Sequence, residues 1–139
     1  RRNGADVTRV RKLFREDAAE YKAKADAVRQ AEIYRNYYAI STCTSEGLQS
    51  PTIVGAQAAN ELLNIKGVKA SFILTDYQGK IYISARSIDE ANVQVVMERM
   101  GGGGHMNMAG CQITDKKIPE VVADIKQTLD QMIEEGELK

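Results

Sequence analysis

The chain has little of what most metal and polyanion chemistry needs. In 139 residues there are one histidine, two cysteines, two prolines and no net charge, with 19 basic against 19 acidic side chains. Cys43 and Cys111 stand far apart, and with a single histidine they cannot assemble a standard four-ligand zinc site. They read as two reduced thiols in a cytosolic setting. Without a basic excess, a surface that grips long nucleic acid is disfavoured, because neutralising many phosphates drives such binding. A small nucleotide needs only one or two cations and stays open. No apolar run approaches the roughly 18 residues of a membrane span, and no signal peptide stands at the start. The chain opens Arg1-Arg2-Asn3-Gly4, without a methionine, and so reads as a fragment of a longer protein. Its length suits one domain with a real core.

What the chain does have is concentrated in ten residues, Gly101-Gly102-Gly103-Gly104-His105-Met106-Asn107-Met108-Ala109-Gly110. Glycine reaches backbone angles that a Cβ forbids. A glycine run can therefore turn successive N–H groups toward one point, a nest for phosphate. The histidine that ends the run adds a donor able to carry charge near neutral pH. No Asp, Glu or second His lies at a useful spacing, so His105 reads as a phosphate contact rather than a metal ligand. Met106 and Met108 read as packing residues.

Around this motif the pattern is that of an α/β domain. Thr8 to Arg15 and Asp17 to Arg35 read as helices, the second with Tyr21, Ala25 and Val28 as its apolar stripe. Tyr37 to Thr42 reads as a strand. Ser50-Pro51 opens a helix, with serine as the cap and Val54, Ala58, Leu62 and Ile65 on one face, closed by Gly67. Lys69 to Asp76 and Lys80 to Ser87 read as a hairpin across Tyr77-Gln78-Gly79. Asn92 caps a short helix to Met100. Ala109 to Thr114 reads as a further strand. Ile118-Pro119 begins the last helix, with Ile118, Val121, Val122, Ile125, Leu129, Met132 and Ile133 as the clearest helical stripe and Gly136 at its end. Strands interleaved with amphipathic helices predict a mixed sheet layered with helices.

Within Lys80–Ser87, Ile81, Ile83 and Ala85 alternate with Tyr82, Ser84 and Arg86. Arg86 thus ends the polar face of a strand, where α/β folds place ligands, and its guanidinium fork matches phosphate. Ser84 and Ser87 can donate to a phosphate or a base. Asn92 reads first as a helix cap and second as a substrate contact.

Gly-Gly-Gly-Gly-His followed by a short spacer and Ala-Gly resembles the signature of the DHHA1 domain, the C-terminal, substrate-binding half of DHH-family phosphoesterases. Ile83-Ser84-Ala85-Arg86-Ser87 with Asn92-Val93-Gln94 resembles the same family. Their placement ahead of the glycine run resembles the GdpP-type cyclic-di-AMP phosphodiesterases. The resemblance extends from about Val7 onward. It implies a DHHA1-like domain over residues 36–139, with residues 1–35 as linker and helices leading from a DHH domain outside this chain. It implies that Arg86 and His105 contact substrate phosphate, beside the backbone of Gly102, Gly103 and Gly104. Family catalysis uses Asp and His residues around a pair of ions, usually manganese. This chain has one histidine and no Asp-His-His triplet. The resemblance therefore implies that the fragment holds no metal or cofactor and binds nucleotide weakly without hydrolysing it. The parent would cleave cyclic-di-AMP to linear pApA and be membrane-anchored, with this domain in the bacterial cytoplasm. Its partners would be a cyclic dinucleotide or short oligonucleotide, the DHH domain of the same chain, and a second copy if it dimerises. Two alternatives stay open: an enzyme of short oligonucleotides or phosphorylated adenosine mononucleotides, and a non-hydrolytic RNA-binding module of the alanyl-tRNA synthetase kind.

Overall fold

A computed structural model describes residues 17–138. The helix expected over residues 8–15 lies outside them. The described elements are α1 (Ala18–Arg29), β1 (Glu32–Tyr34), β2 (Tyr38–Cys43), α2 (Pro51–Leu62), β3 (Ala70–Tyr77), β4 (Lys80–Ser87), α3 (Val93–Arg99), β5 (Gly103–His105), β6 (Met108–Ile113) and α4 (Ile118–Glu134). The strands form one sheet in the order β1-β2-β3-β4-β6-β5. Only β2 and β3 run parallel, joined by the α2 crossover; every other neighbouring pair is antiparallel. The mixed α/β sheet expected from the sequence is the observed architecture.

Each face of the sheet carries its own core. On one face, Ile81, Ile83 and Ala85 of β4 and Ala109 and Cys111 of β6 pack under α3 and α4. Val121, Ile125, Leu129 and Met132 of α4 are buried there, in the stripe its 3.6-residue period predicts. Full burial of each such side chain contributes roughly 1.5–3 kcal/mol. On the other face, Ala39, Cys43 and Ile73 pack under α1 and α2. The alternation of β4 fixes both its faces, because successive residues of a strand point to opposite sides.

Several local expectations are corrected. The second helix stops at Arg29 rather than Arg35, and Glu32–Tyr34 pairs with β2 as an edge strand. Arg35 and Asn36 take positive φ (51° and 70°) and turn the chain back. In α1, Ala23 and Ala27 are buried while Tyr21 is 67% exposed. Small residues win this face because they let α1 lie close to the equally small Ala58 and Ala59 of α2. Ser50 sits at the N-cap of α2 without a side-chain hydrogen bond, and that helix ends at Leu62, before Gly67. The β3–β4 turn is tighter than expected, with Gln78 and Gly79 both at positive φ, as a two-residue hairpin requires. Asn92 does cap α3, its Oδ1 accepting from the Val95 N–H at 3.2 Å.

Candidate functional site

The helices cover one face of the sheet only in part. Over β2 and β3 that face is closed by α1 and α2, and α2 also reaches over β4. Beyond α2, the half-buried outward residues of β4 together with β6 and β5 form an open shelf, and the register shows what stands on it. Arg86 pairs with Met108, and Met108 pairs with His105. Paired residues share a face, so Arg86, Met108 and His105 form one row across three strands. Arg86 and His105 are two strand spacings apart, about 9.5 Å. One pleat further along the shelf, Ser84 pairs with Gly110 and Gly110 with Gly103. That second row has one small hydroxyl and two residues with no side chain. A flat backbone floor thus lies beside a row holding an arginine and the histidine.

The four glycines divide the work, and they do not form the nest expected from sequence. Gly101 has φ 93° and terminates α3. Its N–H donates to the Glu98 carbonyl at 3.1 Å, and the Gly102 N–H donates to the Met97 carbonyl at 2.8 Å. This is the Schellman pattern that closes a helix through a left-handed residue. Gly103, Gly104 and His105 then run as a short edge strand along β6. Gly102 and Gly104 have no room for a Cβ. At Gly102 it would lie 2.1 Å from the Gly110 carbonyl oxygen, and at Gly104 2.5 Å from the Ala109 Cα. Gly103 is different: nothing lies within 4 Å of its missing Cβ, and its φ is not positive. The run therefore brings β5 hard against β6 and leaves the Gly103 position open to an approaching ligand.

Arg86 is half-buried at the end of β4, where Ser71 of β3 lies opposite it. Its Nη1 donates to the Ala85 carbonyl at 2.9 Å. Its Nε is buried with no hydrogen-bond partner, and none of the ion pairs among the described residues involves it. Burial pushes its pKa below the ordinary guanidinium value, yet arginine stays charged in proteins. A half-buried cation without a carboxylate is costly unless an anion meets it. His105 is exposed on the same shelf.

The remaining expected contacts are placed elsewhere. Ser84 shares the shelf, but Ser87 points into the opposite core, 6% exposed, and donates to the Ala91 carbonyl at 2.6 Å. The Asn92 side chain is occupied as the α3 cap. Met106 and Met108 are not core residues; they are 39% and 54% exposed. Strand pairing decides this, since Met108 is in register with Arg86 on the uncovered face. Sequence reading also passed over Asn107, whose amide binds Ser87 and the Asp89 carbonyl; its turn position between His105 and Met108 was the available signal. A cavity of about 140 Å³ lies elsewhere, lined by Tyr38, Lys69, Ile88 and Leu138 among others.

The DHHA1 domain family matches residues 37–135. The chain belongs to this family. It is 36% identical over 137 residues to the cyclic-di-AMP phosphodiesterase GdpP of Geobacillus thermodenitrificans, covering 98% of this chain and 21% of that protein. It is 38% identical over 128 residues to the cyclic-di-AMP phosphodiesterase PdeA of Listeria monocytogenes, covering 91% and 19%. The chain thus spans about a fifth of the length of the curated relatives it matches. In fold, it superposes on an exopolyphosphatase-related protein from Bacteroides fragilis with a TM-score of 0.76 at 22% identity, covering 94% of this chain and 39% of that one.

Among the described residues, no group of three or more His, Cys, Asp or Glu side chains lies together so as to hold a metal ion. Among the described residues, no helix is long and apolar enough to cross a membrane.

Proposed function

We propose that this DHHA1 domain is the substrate-binding half of a DHH–DHHA1 phosphodiesterase that hydrolyses cyclic-di-AMP to linear pApA. Residues 36–139 form the binding domain, and residues 1–35 lead to it from the DHH half. The observation that carries the reading is Arg86, a half-buried guanidinium with an unpartnered Nε and no carboxylate, in one row with His105 beside a glycine floor. A phosphodiester there would accept from the guanidinium fork. His105 would donate from the far end of the row, and Ser84 from the second row. Gly103, with no atom near its missing Cβ, would let the ligand reach the backbone. Gly102 and Gly104 serve the site by holding β5 on β6.

This division of labour assigns no hydrolytic step to the residues described here. Manganese in the DHH half would activate water and stabilise the attacked phosphoryl group. The chain's own residues bind and orient the nucleotide, so the isolated chain binds weakly and turns nothing over. The parent is anchored in a bacterial membrane with this domain on the cytoplasmic side. The test is steady-state hydrolysis of cyclic-di-AMP by the full-length protein. Arg86→Ala and His105→Ala are expected to lower kcat/KM mainly through KM. Unchanged kcat/KM in both variants would remove this shelf from the substrate site.

A further inference from the structure

The tip of the β5–β6 hairpin is fastened to the end of β4 by side-chain hydrogen bonds from Asn107, added to a backbone bond that continues the β4–β6 register. Asn107 is the second of the two turn residues between His105 and Met108. Its Nδ2 donates to Ser87 Oγ at 2.9 Å and to the Asp89 carbonyl at 3.2 Å. Its own carbonyl accepts from the Ser87 N–H at 3.1 Å, and the Met106 carbonyl accepts from the Val93 N–H at 2.9 Å. Ser87 is held in turn, because its hydroxyl donates to the Ala91 carbonyl at 2.6 Å. Asp89 adopts φ 55° within the same loop.

The position of this clasp matters more than its strength. Ser87 directly follows Arg86, and Asn107 comes two residues after His105. The clasp therefore joins the two chain segments right beside the two groups that would grip phosphate. Without it, His105 stands on a three-residue edge strand paired on one side only. A hairpin that short is marginal by itself. The clasp supplies both donors of a neutral amide, at the one point where β4 and the hairpin tip must keep a fixed separation.

We propose that Asn107 is a positioning residue: through Ser87 and the Asp89 carbonyl it fixes His105 relative to Arg86 and thereby sets affinity for the phosphodiester. The inference rests on the phosphate-binding role proposed above for that pair. It differs from a purely structural role in one respect. If Asn107 acts by placing His105, its loss matters only while the imidazole is there.

The experiment is a double-mutant cycle on the full-length protein. Cyclic-di-AMP affinity is measured by calorimetry with manganese omitted, so that the nucleotide is not consumed, and below the unfolding temperature of every variant. The variants are N107A, N107D, H105A, N107A/H105A and N107D/H105A. N107D keeps the size of the side chain but removes both amide donors, and it carries the test if N107A folds poorly. The expected result is roughly tenfold weaker binding in N107A and N107D, with little further loss when N107A is added to H105A. Such non-additivity is the mark of residues acting as one unit. Wild-type affinity in N107A and N107D, with H105A weakened, would overturn the positioning role and leave the phosphate site standing. Equal losses from N107A in both backgrounds would also overturn it, because Asn107 would then act without His105. Wild-type affinity in H105A would overturn the phosphate reading, and this inference with it.

Discussion

Replacing Arg86 by alanine should separate binding from stability, and the structure says by how much. The side chain makes one hydrogen bond among the described residues, from Nη1 to the Ala85 carbonyl. Losing such a bond costs about 0.5–1.5 kcal/mol. Against this stands the buried Nε with no partner, and removing an unsatisfied buried group returns about 1–3 kcal/mol. The two nearly cancel, and lost packing of the aliphatic stem takes up the remainder. The variant should therefore unfold within about 1 kcal/mol of wild type, the scale of the terms that offset each other. Binding has no such compensation. A charged hydrogen bond to phosphate is worth roughly 1.5–3 kcal/mol, or about tenfold to a hundredfold in affinity. Arg86→Lys should recover only part of that, since an ammonium has no fork. Denaturant unfolding and cyclic-di-AMP titration of the same samples measure both quantities. An alanine variant that loses several kcal/mol of stability, or binds as tightly as wild type, would refute the reasoning.

The glycines give a sharper contrast. Gly102→Ala and Gly104→Ala should disrupt the β5–β6 pairing, because each Cβ would meet backbone at under 3 Å. Gly103→Ala meets nothing and should fold normally, so any loss of nucleotide affinity there reports a filled approach path; melting curves and affinities of the three variants check this. Burial pushes the Cys43 and Cys111 thiols up, so both should resist alkylation at neutral pH in the folded protein and react once it is unfolded, as mass spectrometry would show. At the β1 edge, hydrogen bonds from the Tyr34 hydroxyl and from Arg35 hold the Asp130 carboxyl below the usual carboxylate range. A depressed carboxyl adds stability above its unfolded pKa, near about 3.9, that is lost as pH falls through the folded value. Asp130→Asn should therefore flatten the acid side of the stability profile, by less than about 1 kcal/mol for so exposed a cluster, and an unchanged profile would contradict the assignment.

What was legible in the sequence follows the strength of each local signal. The period of α4 and the alternation of Lys80–Ser87 are long and regular, and both were read to the correct face. Strand alternation put Arg86 on the face opposite Ala85, whereas its reading as a phosphate contact came from the neighbouring glycine–histidine motif and the family resemblance. The glycine run was read as a site but not as a strand. Glycine has no side-chain preference for sheet, and three residues are too few to show a period. Only the pairing with Met108–Gly110 makes them a strand. Met108 was misread as core for the same reason: its face depends on which strands the helices leave uncovered, a tertiary fact. Ser87 was taken as a possible substrate contact, yet it lies on the inward side of the alternation that placed Arg86 outward. The buried face of α1 was missed because alanine gives a weak hydrophobic signal, although close helix packing favours it.

The central claim is that nucleotide binds on the open shelf of β4, β6 and β5. The most direct measurement is chemical-shift mapping of the isotopically labelled chain during titration with cyclic-di-AMP, a method suited to weak binding. Shifts centred on Ser84, Arg86, Gly103, His105 and Gly110, and lost in Arg86→Ala, are the predicted result. Shifts centred instead on the cavity lined by Tyr38, Lys69, Ile88 and Leu138, with the shelf residues unmoved, would contradict it.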